Sequence, residues 1–234
     1  MKTVRTARFS YAPRGFFMLA ACFDAPHNSG SILTGSAAMS YASNATGILL
    51  AAGLGTRFDP SGHRNKLLAT LPDGTPVVFQ SARRLLAVCA DVFAVVRPGA
   101  EKLADVLNEA GCSVIFCADA GRGMGATLAA AVCATSESDG WLVALGDMPW
   151  IEPATYEAVA RALDAGQALV APFYRGTRGH PAGFGIVHRE ALAALDGDAG
   201  ARGIFSTHAP SIVDVDDPNV LRDIDLPGDL TVER

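Results

Sequence analysis

The chain has 234 residues, half of them hydrophobic and 18% charged. That excludes a disordered, collagen-like or coiled-coil protein and supplies one sizeable core, or two small ones at most. The formal net charge of −5 excludes a broad basic footprint for nucleic acid, and the 7% aromatic content suits helices packed on a sheet better than aromatic-rich hairpins.

The charge is unevenly spread. Residues 1–40 carry Lys2, Arg5, Arg8 and Arg14 against Asp24 alone, a net of +3, which leaves −8 for the remainder. Within this head, basic residues precede the run Gly15-Phe16-Phe17-Met18-Leu19-Ala20-Ala21-Cys22, an imitation of a lipoprotein signal. The run is short for a signal core and far too short to span a bilayer, so no membrane association is expected. Residues 24–45, rich in Ser, Asn, Gly and Ala, show no period. Residues 1–44 therefore read as a flexible, non-catalytic extension, with Met39 as a candidate start, and 45–234 as one domain. The five cysteines, Cys22, Cys89, Cys112, Cys117 and Cys133, include no C-x-x-C pair and mostly sit in apolar runs. They read as reduced, buried thiols of a cytoplasmic protein.

From Thr46 the pattern alternates. Gly47–Ala52 is a short apolar run read as a buried strand, and 53–65 is a polar, glycine-containing loop. Lys66–Leu71 reads as extended, followed by a Pro72-Asp73-Gly74 turn. Pro76 opens a helix to about Cys89. Asp91–Val96 and 113–118 read as strands around a helix over 99–110 closed by Gly111. A Gly121–Gly125 loop then precedes an alanine-rich helix to about Ala134. Trp141–Leu145 is a further buried strand, and 153–164 a helix. Strand–helix repetition of this kind predicts a doubly wound, largely parallel sheet. The last third is less regular: strands at Ala168–Phe173, Ala182–Val187 and Ile212–Val215, and a helix at Arg189–Leu195. The short 174–181 loop between the first two makes them an antiparallel element, so the sheet is mixed with a parallel centre.

Five segments could carry chemistry. Gly53-Leu54-Gly55-Thr56-Arg57, with Lys66 downstream, puts glycine backbone and two cations where a strand runs out, which suits a triphosphate. The dinucleotide fingerprint would need glycine at Phe58, and a P-loop would need it at Asn65. Taken alone, the segment also reads as an ordinary βα turn with solvated bases. Asp147 follows the apolar Val143-Ala144-Leu145, so it emerges at a strand's carboxyl end, where it could hold Mg²⁺ or merely cap its own turn. Asp225, in Asp223-Ile224-Asp225-Leu226-Pro227-Gly228-Asp229, is a second metal candidate or part of a solvated acidic turn, the reading given to Asp214, Asp216 and Asp217. The glycines Gly121, Gly123 and Gly125 before a helix permit close backbone approach to a ligand. Arg178 and His180, in Arg178-Gly179-His180-Pro181, could contact an anionic acceptor, although a lone His is more often structural.

Together these segments resemble the MobA-like nucleotidyltransferases of molybdenum cofactor synthesis. The matching stretches are LAAGLGTR (50–57) with Lys66, GMGATL (123–128), LGDMPW (145–150), RGHPAGFG (178–185), GDAGAR (197–202) and DIDLPGDL (223–230), in the family's order. The resemblance implies a Rossmann-like, three-layer α/β/α nucleotidyltransferase fold with a mostly parallel mixed central sheet. It implies that Ala51, Ala52, Gly53, Gly55, Arg57, Lys66, Gly123, Gly125 and Thr127 bind the NTP. Asp147 and Asp225 would hold Mg²⁺, and Arg178, His180 and Arg202 would meet the phosphorylated acceptor. Arg57, Lys66 and Asp147 are the expected catalytic set. Ala52 before Gly53, and the GMGATL loop, are closer to the cytidylyl than to the guanylyl branch. The chain departs from the pattern at Phe58-Asp59, where Met-Gly is usual, and by the residues 60–65 that lengthen the loop before Lys66.

The implied reaction transfers CMP from CTP to molybdopterin with release of pyrophosphate, with a molybdoenzyme or its maturation chaperone as a further partner. Four rivals stand beside it: a GTP-using guanylyltransferase, a sugar- or polyol-phosphate nucleotidyltransferase, a non-catalytic molybdenum cofactor carrier, and a structural domain that the motifs merely decorate. Asp147 and Asp225 beside Lys66 weigh against the carrier.

Overall fold

The structure, a computed structural model, describes residues 43–231. The basic head and Cys22 lie outside them. The described chain starts just ahead of the expected boundary, and Ser43 already packs into it: its N–H donates to Val88 O at 2.7 Å and its hydroxyl to Asp164 Oδ1 at 2.9 Å.

Among the described residues, eight strands form one sheet. They are β1 (Thr46–Leu50), β2 (Val92–Val96), β3 (Ser113–Phe116), β4 (Gly140–Leu145), β5 (Leu169–Tyr174), β6 (Thr177–Arg178), β7 (Ala182–Gly185) and β8 (Ser211–Asp214). The order across the sheet is β3-β2-β1-β4-β7-β5, with β6 and β8 both pairing β5. β1, β2, β3 and β4 run parallel, and β8 runs parallel to β5. β7 is antiparallel to both β4 and β5, and β6 is antiparallel to β5. The sheet is thus mixed with a parallel centre, as the sequence pattern predicts.

Side-chain alternation sends successive residues of each central strand to opposite faces. Leu49, Ala94, Leu142 and Ala144 join one core, together with α1 (Val77–Leu86), α2 (Glu101–Ala110) and α4 (Pro153–Asp164). Ile48, Val95, Trp141 and Val143 join the other, together with α3 (Met124–Ala134), α5 (Arg189–Ala193) and α6 (Arg202–Thr207). The result is the three-layer α/β/α architecture that the resemblance implies. The helices follow from local chemistry. In α1, Val77, Val78, Ser81, Ala82 and Leu85 form one buried stripe. α2 stops where Gly111 turns left-handed at φ 107°. α4 begins on a proline, whose missing N–H costs nothing in a first turn.

Several expectations need correction. Lys66–Leu68 is a 3₁₀ turn rather than extended chain, because the Asn65 side chain accepts from Leu67 N at 2.9 Å and caps it. Strand β7 ends at Gly185, and Ile186–His188 forms a further 3₁₀ turn. Helix α6 follows a loop in which the sequence pattern predicts no element. Cys89, Cys112 and Cys117 are buried, but Cys133 is exposed on α3. Burial pushes the Cys89 thiol up to about 12 and Cys112 to about 11. Asp217 is not part of a solvated turn. It is 2% exposed and accepts from Glu152 N at 2.8 Å, Thr155 Oγ1 at 2.9 Å and Asn219 N at 3.0 Å, tying the start of α4 to the chain after β8. Among the described residues, no helix is long and apolar enough to cross a membrane.

β1 lies between β2 and β4. The chain leaves β1 for β2 through α1 on one face and crosses from β3 to β4 through α3 on the other, so a crevice opens at the carboxyl ends of β1 and β4, where open α/β sheets bind ligands.

Candidate active site

The crevice is a cleft of about 590 Å³. Its floor is the turn after β1. Ala51 and Ala52 are buried, and the Ala51 N–H is taken by Val95 O at 2.9 Å. Gly53 has open space around its Cα, whereas Gly55 (φ +62°) packs on the stem of Lys66, whose Cγ would lie 3.2 Å from a Cβ there. The long loop that follows is tied by its own bonds. Phe58 is buried, and the Asp59 carboxylate accepts from Ser61 Oγ at 2.6 Å, Ser61 N at 3.0 Å and Arg64 N at 2.7 Å. The Ser61 hydroxyl, then the Arg64 N–H, hold that carboxyl down at about 2. The extra residues thus form a closed turn that still delivers Lys66 against Gly55.

Lys66 is nearly buried, its side chain 11% exposed. Its Nζ lies 2.6 Å from Asp147 Oδ2 and 3.6 Å from Asp225 Oδ1, and donates to Ile224 O at 2.9 Å. Arg57, far more exposed, pairs with the second oxygen of Asp225. Asp147 is carried out of β4 by Gly146, whose N–H bonds Leu50 O at 2.9 Å. The 223–225 segment is held in place by Ile224 N donating to Asp147 O at 3.0 Å. Three distant segments therefore meet at one ammonium group.

The same cleft is lined by Arg178, His180 and Arg202. The Arg178 guanidinium sits 3.8 Å from the centre of the Phe205 ring. Burial, then repulsion from Arg202, lowers its pKa. His180 Nδ1 is buried without a hydrogen-bond partner. Burial first, then the charge of Arg178, pushes the imidazole down to about 4, so it is neutral at physiological pH. Gly123, Met124 and Thr127, at the start of α3, also line the cleft. The Thr127 hydroxyl donates to Gly123 O at 3.0 Å.

All of the expected site residues line this cleft except Ala51 and Gly125, which stand just behind its wall. Other cleft residues were given no role of their own from the sequence, Arg97 and Asp223 among them. Arg97, directly after β2, donates a guanidinium N–H to Ala52 O, and burial lowers its pKa. Its signal was the one that singled out Asp147: the first charged residue after a buried parallel strand. Asp223 lies in the cleft beside Asp225. Partial burial, then the charges of Asp225 and Asp147, raise its carboxyl pKa. Its signal was the Asp-Ile-Asp spacing, which turns both acids one way when the central Ile224 is fully buried.

Among the described residues, no three His, Cys, Asp or Glu form a complete metal-binding set. The donors present are carboxylate oxygens on one cleft wall. That chemistry fits a hard divalent cation that completes its shell with substrate phosphates and water.

Residues 47–212 match the model of the MobA-like NTP transferase domain. The chain belongs to the MobA-like NTP transferase family. It is accordingly a nucleotidyltransferase. No curated protein matches the chain. Among solved structures, it is similar to Rv0371c from Mycobacterium tuberculosis H37Rv, at 26% identity over 82% of this chain and 96% of that one, with a TM-score of 0.68. A second structure of Rv0371c is a manganese complex, 23% identical over 82% of this chain and 94% of that one, with a TM-score of 0.59. A nucleotidyl transferase from Methanothermobacter thermautotroptrophicus shares the fold at 22% identity, over 79% and 93% of the two chains, with a TM-score of 0.66. So does molybdopterin-guanine dinucleotide biosynthesis protein A from Archaeoglobus fulgidus, at 19% identity over 79% and 94%, with a TM-score of 0.55.

Proposed function

We propose that this MobA-like transferase moves CMP from CTP to the phosphate of molybdopterin and releases pyrophosphate. The observation that carries the reading is Lys66 Nζ held between Asp147 and Asp225 at the carboxyl edge of the sheet, with Arg178, His180 and Arg202 lining the same cleft. The first group joins cations to carboxylates, as a metal-bound triphosphate requires. The second brings two arginines, as a phosphorylated acceptor requires.

In the reaction, an acceptor phosphate oxygen attacks the α-phosphorus in line, and the bond to the β-phosphate bridging oxygen breaks. A phosphate monoester has its second pKa near ~6 and is already ionised at neutral pH, so no strong base is needed. The neutral His180 suits a positioning role, offering a hydrogen bond to the acceptor. Arg57 and Lys66 neutralise the departing pyrophosphate, while Gly53, Gly55 and Thr127 bound the nucleotide. Asp147 and Asp225 would hold Mg²⁺, which when bound offsets charge on the phosphates. The manganese complex of Rv0371c supports a divalent ion in this fold. The choice of CTP rests on Ala52 and the GMGATL loop. The basic residues 1–44 are read as a non-catalytic extension, and the protein as cytoplasmic, passing its product to a molybdoenzyme or its chaperone.

The test is a panel of four NTPs with Mg²⁺, scored for pyrophosphate with molybdopterin and with sugar or polyol phosphates. CTP with molybdopterin is the expected pair. Preference for GTP moves the enzyme to the guanylyl branch, a sugar-phosphate acceptor overturns the molybdopterin assignment, and acceptor binding without turnover makes the chain a carrier.

A further inference from the structure

Gly123 and Gly125 invite the reading that they make room for a phosphate, but their open sides are filled by protein. A Cβ on Gly125 would lie 2.6 Å from Asp196 O, 2.8 Å from Asp196 C and 2.9 Å from Gly197 O, all backbone atoms. On Gly123 (φ +118°) it would overlap Asp198 Oδ1 and lie 2.5 Å from Gly197 C. The Gly125 N–H, one of the donors a helix N-terminus could offer an anion, is already given to Gly197 O at 2.7 Å. Outside the cleft, Arg122 pairs with Asp196. On the other strand of this contact, Gly197 (φ +66°) and Gly200 (φ +54°) take left-handed turns, and a Cβ on Gly200 would meet Met124 Sδ at 3.1 Å. By contrast, Gly121 would meet nothing within 4 Å.

We propose that the 122–125 and 196–200 segments form a clasp that positions the acceptor wall of the cleft. The second segment runs straight into α6, which carries Arg202 and Phe205. Phe205 in turn supports the Arg178 guanidinium. The glycines at 123 and 125 thus let α3 seat the loop from which both acceptor-side arginines are held. They are positioning residues, and the inference rests on the nucleotidyl-transfer reading only for what the arginines bind.

The test is Gly125→Ala, which forces the 196–197 backbone outward. With CTP and molybdopterin, the acceptor KM rises about tenfold or more, while the CTP KM stays within about twofold of wild type. Hydrogen exchange speeds up across 196–205 but not across 53–57, and Gly121→Ala leaves both stretches at wild-type rates. A rise in the CTP KM with the acceptor KM unchanged makes the glycines a nucleotide cradle and overturns the clasp. Should wild type release no pyrophosphate with any NTP, the functional reading fails by itself. The clasp is then decided by exchange, and unchanged rates over 196–205 in Gly125→Ala overturn it. Should that variant not fold, Arg122→Ser carries the same exchange test: faster exchange confined to 196–205 supports the clasp, and wild-type rates refute it.

Discussion

Lys66 and Asp147, 81 positions apart in the chain, meet at 2.6 Å with both side chains largely removed from water. Each shields the other. The ammonium would otherwise stand nearly buried with Asp225 at 3.6 Å as its nearest remaining charge partner, and Asp147 would face Asp225 and Asp223 uncompensated. Asp147→Asn keeps the volume and hydrogen-bonding capacity but removes the charge. We expect the fold to survive, with a loss of roughly 1–3 kcal/mol for a weakened, partly buried charge-assisted bond. Pyrophosphate release should fall about 10²–10³-fold or more, the usual cost of one transition-state contact. Urea melts and a coupled pyrophosphate assay measure the two effects separately. Near-wild-type turnover would remove Asp147 from the metal and phosphate site.

His180 gives the protein an acid-sensitive element. Burial and the neighbouring Arg178 and Arg202 disfavour its protonated form, with Asp147 opposing them, and its pKa falls from 6.5 to about 4. Between those values the unfolded chain binds a proton that the native chain refuses, so stability rises with pH through the window and is lost as pH drops from 6.5 toward 4. The shift corresponds to at most about 3 kcal/mol at full effect. His180→Gln cannot titrate. Its stability should fall less than that of wild type between pH 6.5 and 4, as read by denaturant midpoints at each pH. Parallel pH profiles for the two proteins would show that His180 titrates normally in the fold.

Asp217 predicts the opposite phenotype to Asp147. It accepts hydrogen bonds from two backbone N–H groups and a hydroxyl at 2% exposure, and does not line the cleft. Asp217→Ala takes the acceptor from the buried Thr155 hydroxyl and from two part-buried N–H groups, at about 2–4 kcal/mol. The melting temperature should drop by several degrees, while KM values of the surviving folded enzyme stay near wild type. A stable variant with raised KM would place Asp217 in the site after all.

These contrasts mark how far the sequence could be read. The central strands were legible because apolar runs such as Leu142-Val143-Ala144 have one use in an α/β protein, and Asp147 followed from standing where such a run stops. Asp217 looked like its neighbours Asp214 and Asp216, because nothing local shows that Glu152 and Thr155, more than sixty residues earlier, aim donors at it. Gly123 and Gly125 were visible as positions that need glycine, but the reason lies in the backbone at 196–197 and the Asp198 carboxylate, a long-range contact without periodicity. The 3₁₀ turn at Lys66–Leu68 was hidden because one Asn65 side chain overrode an extended-looking apolar stretch.

Arg97 extends the same logic to a residue that the motifs do not contain. Its guanidinium is partly buried, holds the Ala52 carbonyl and lines the cleft beside Gly53 and Arg57. One end therefore fixes the backbone of the glycine turn, and the rest adds positive charge where the triphosphate is expected. Arg97→Met preserves the apolar stem and removes the donors and the charge. The CTP KM should rise about tenfold, equivalent to ~1.4 kcal/mol, with the acceptor KM unchanged and the denaturant midpoint only slightly lowered. Arg97→Lys should recover little of this, because a single ammonium cannot hold the Ala52 carbonyl and face the cleft in the geometry of a planar fork. Initial-rate measurements with each substrate varied at a saturating level of the other test both variants. A CTP KM unchanged in Arg97→Met would leave Arg97 as a brace for the Ala52 turn and nothing more.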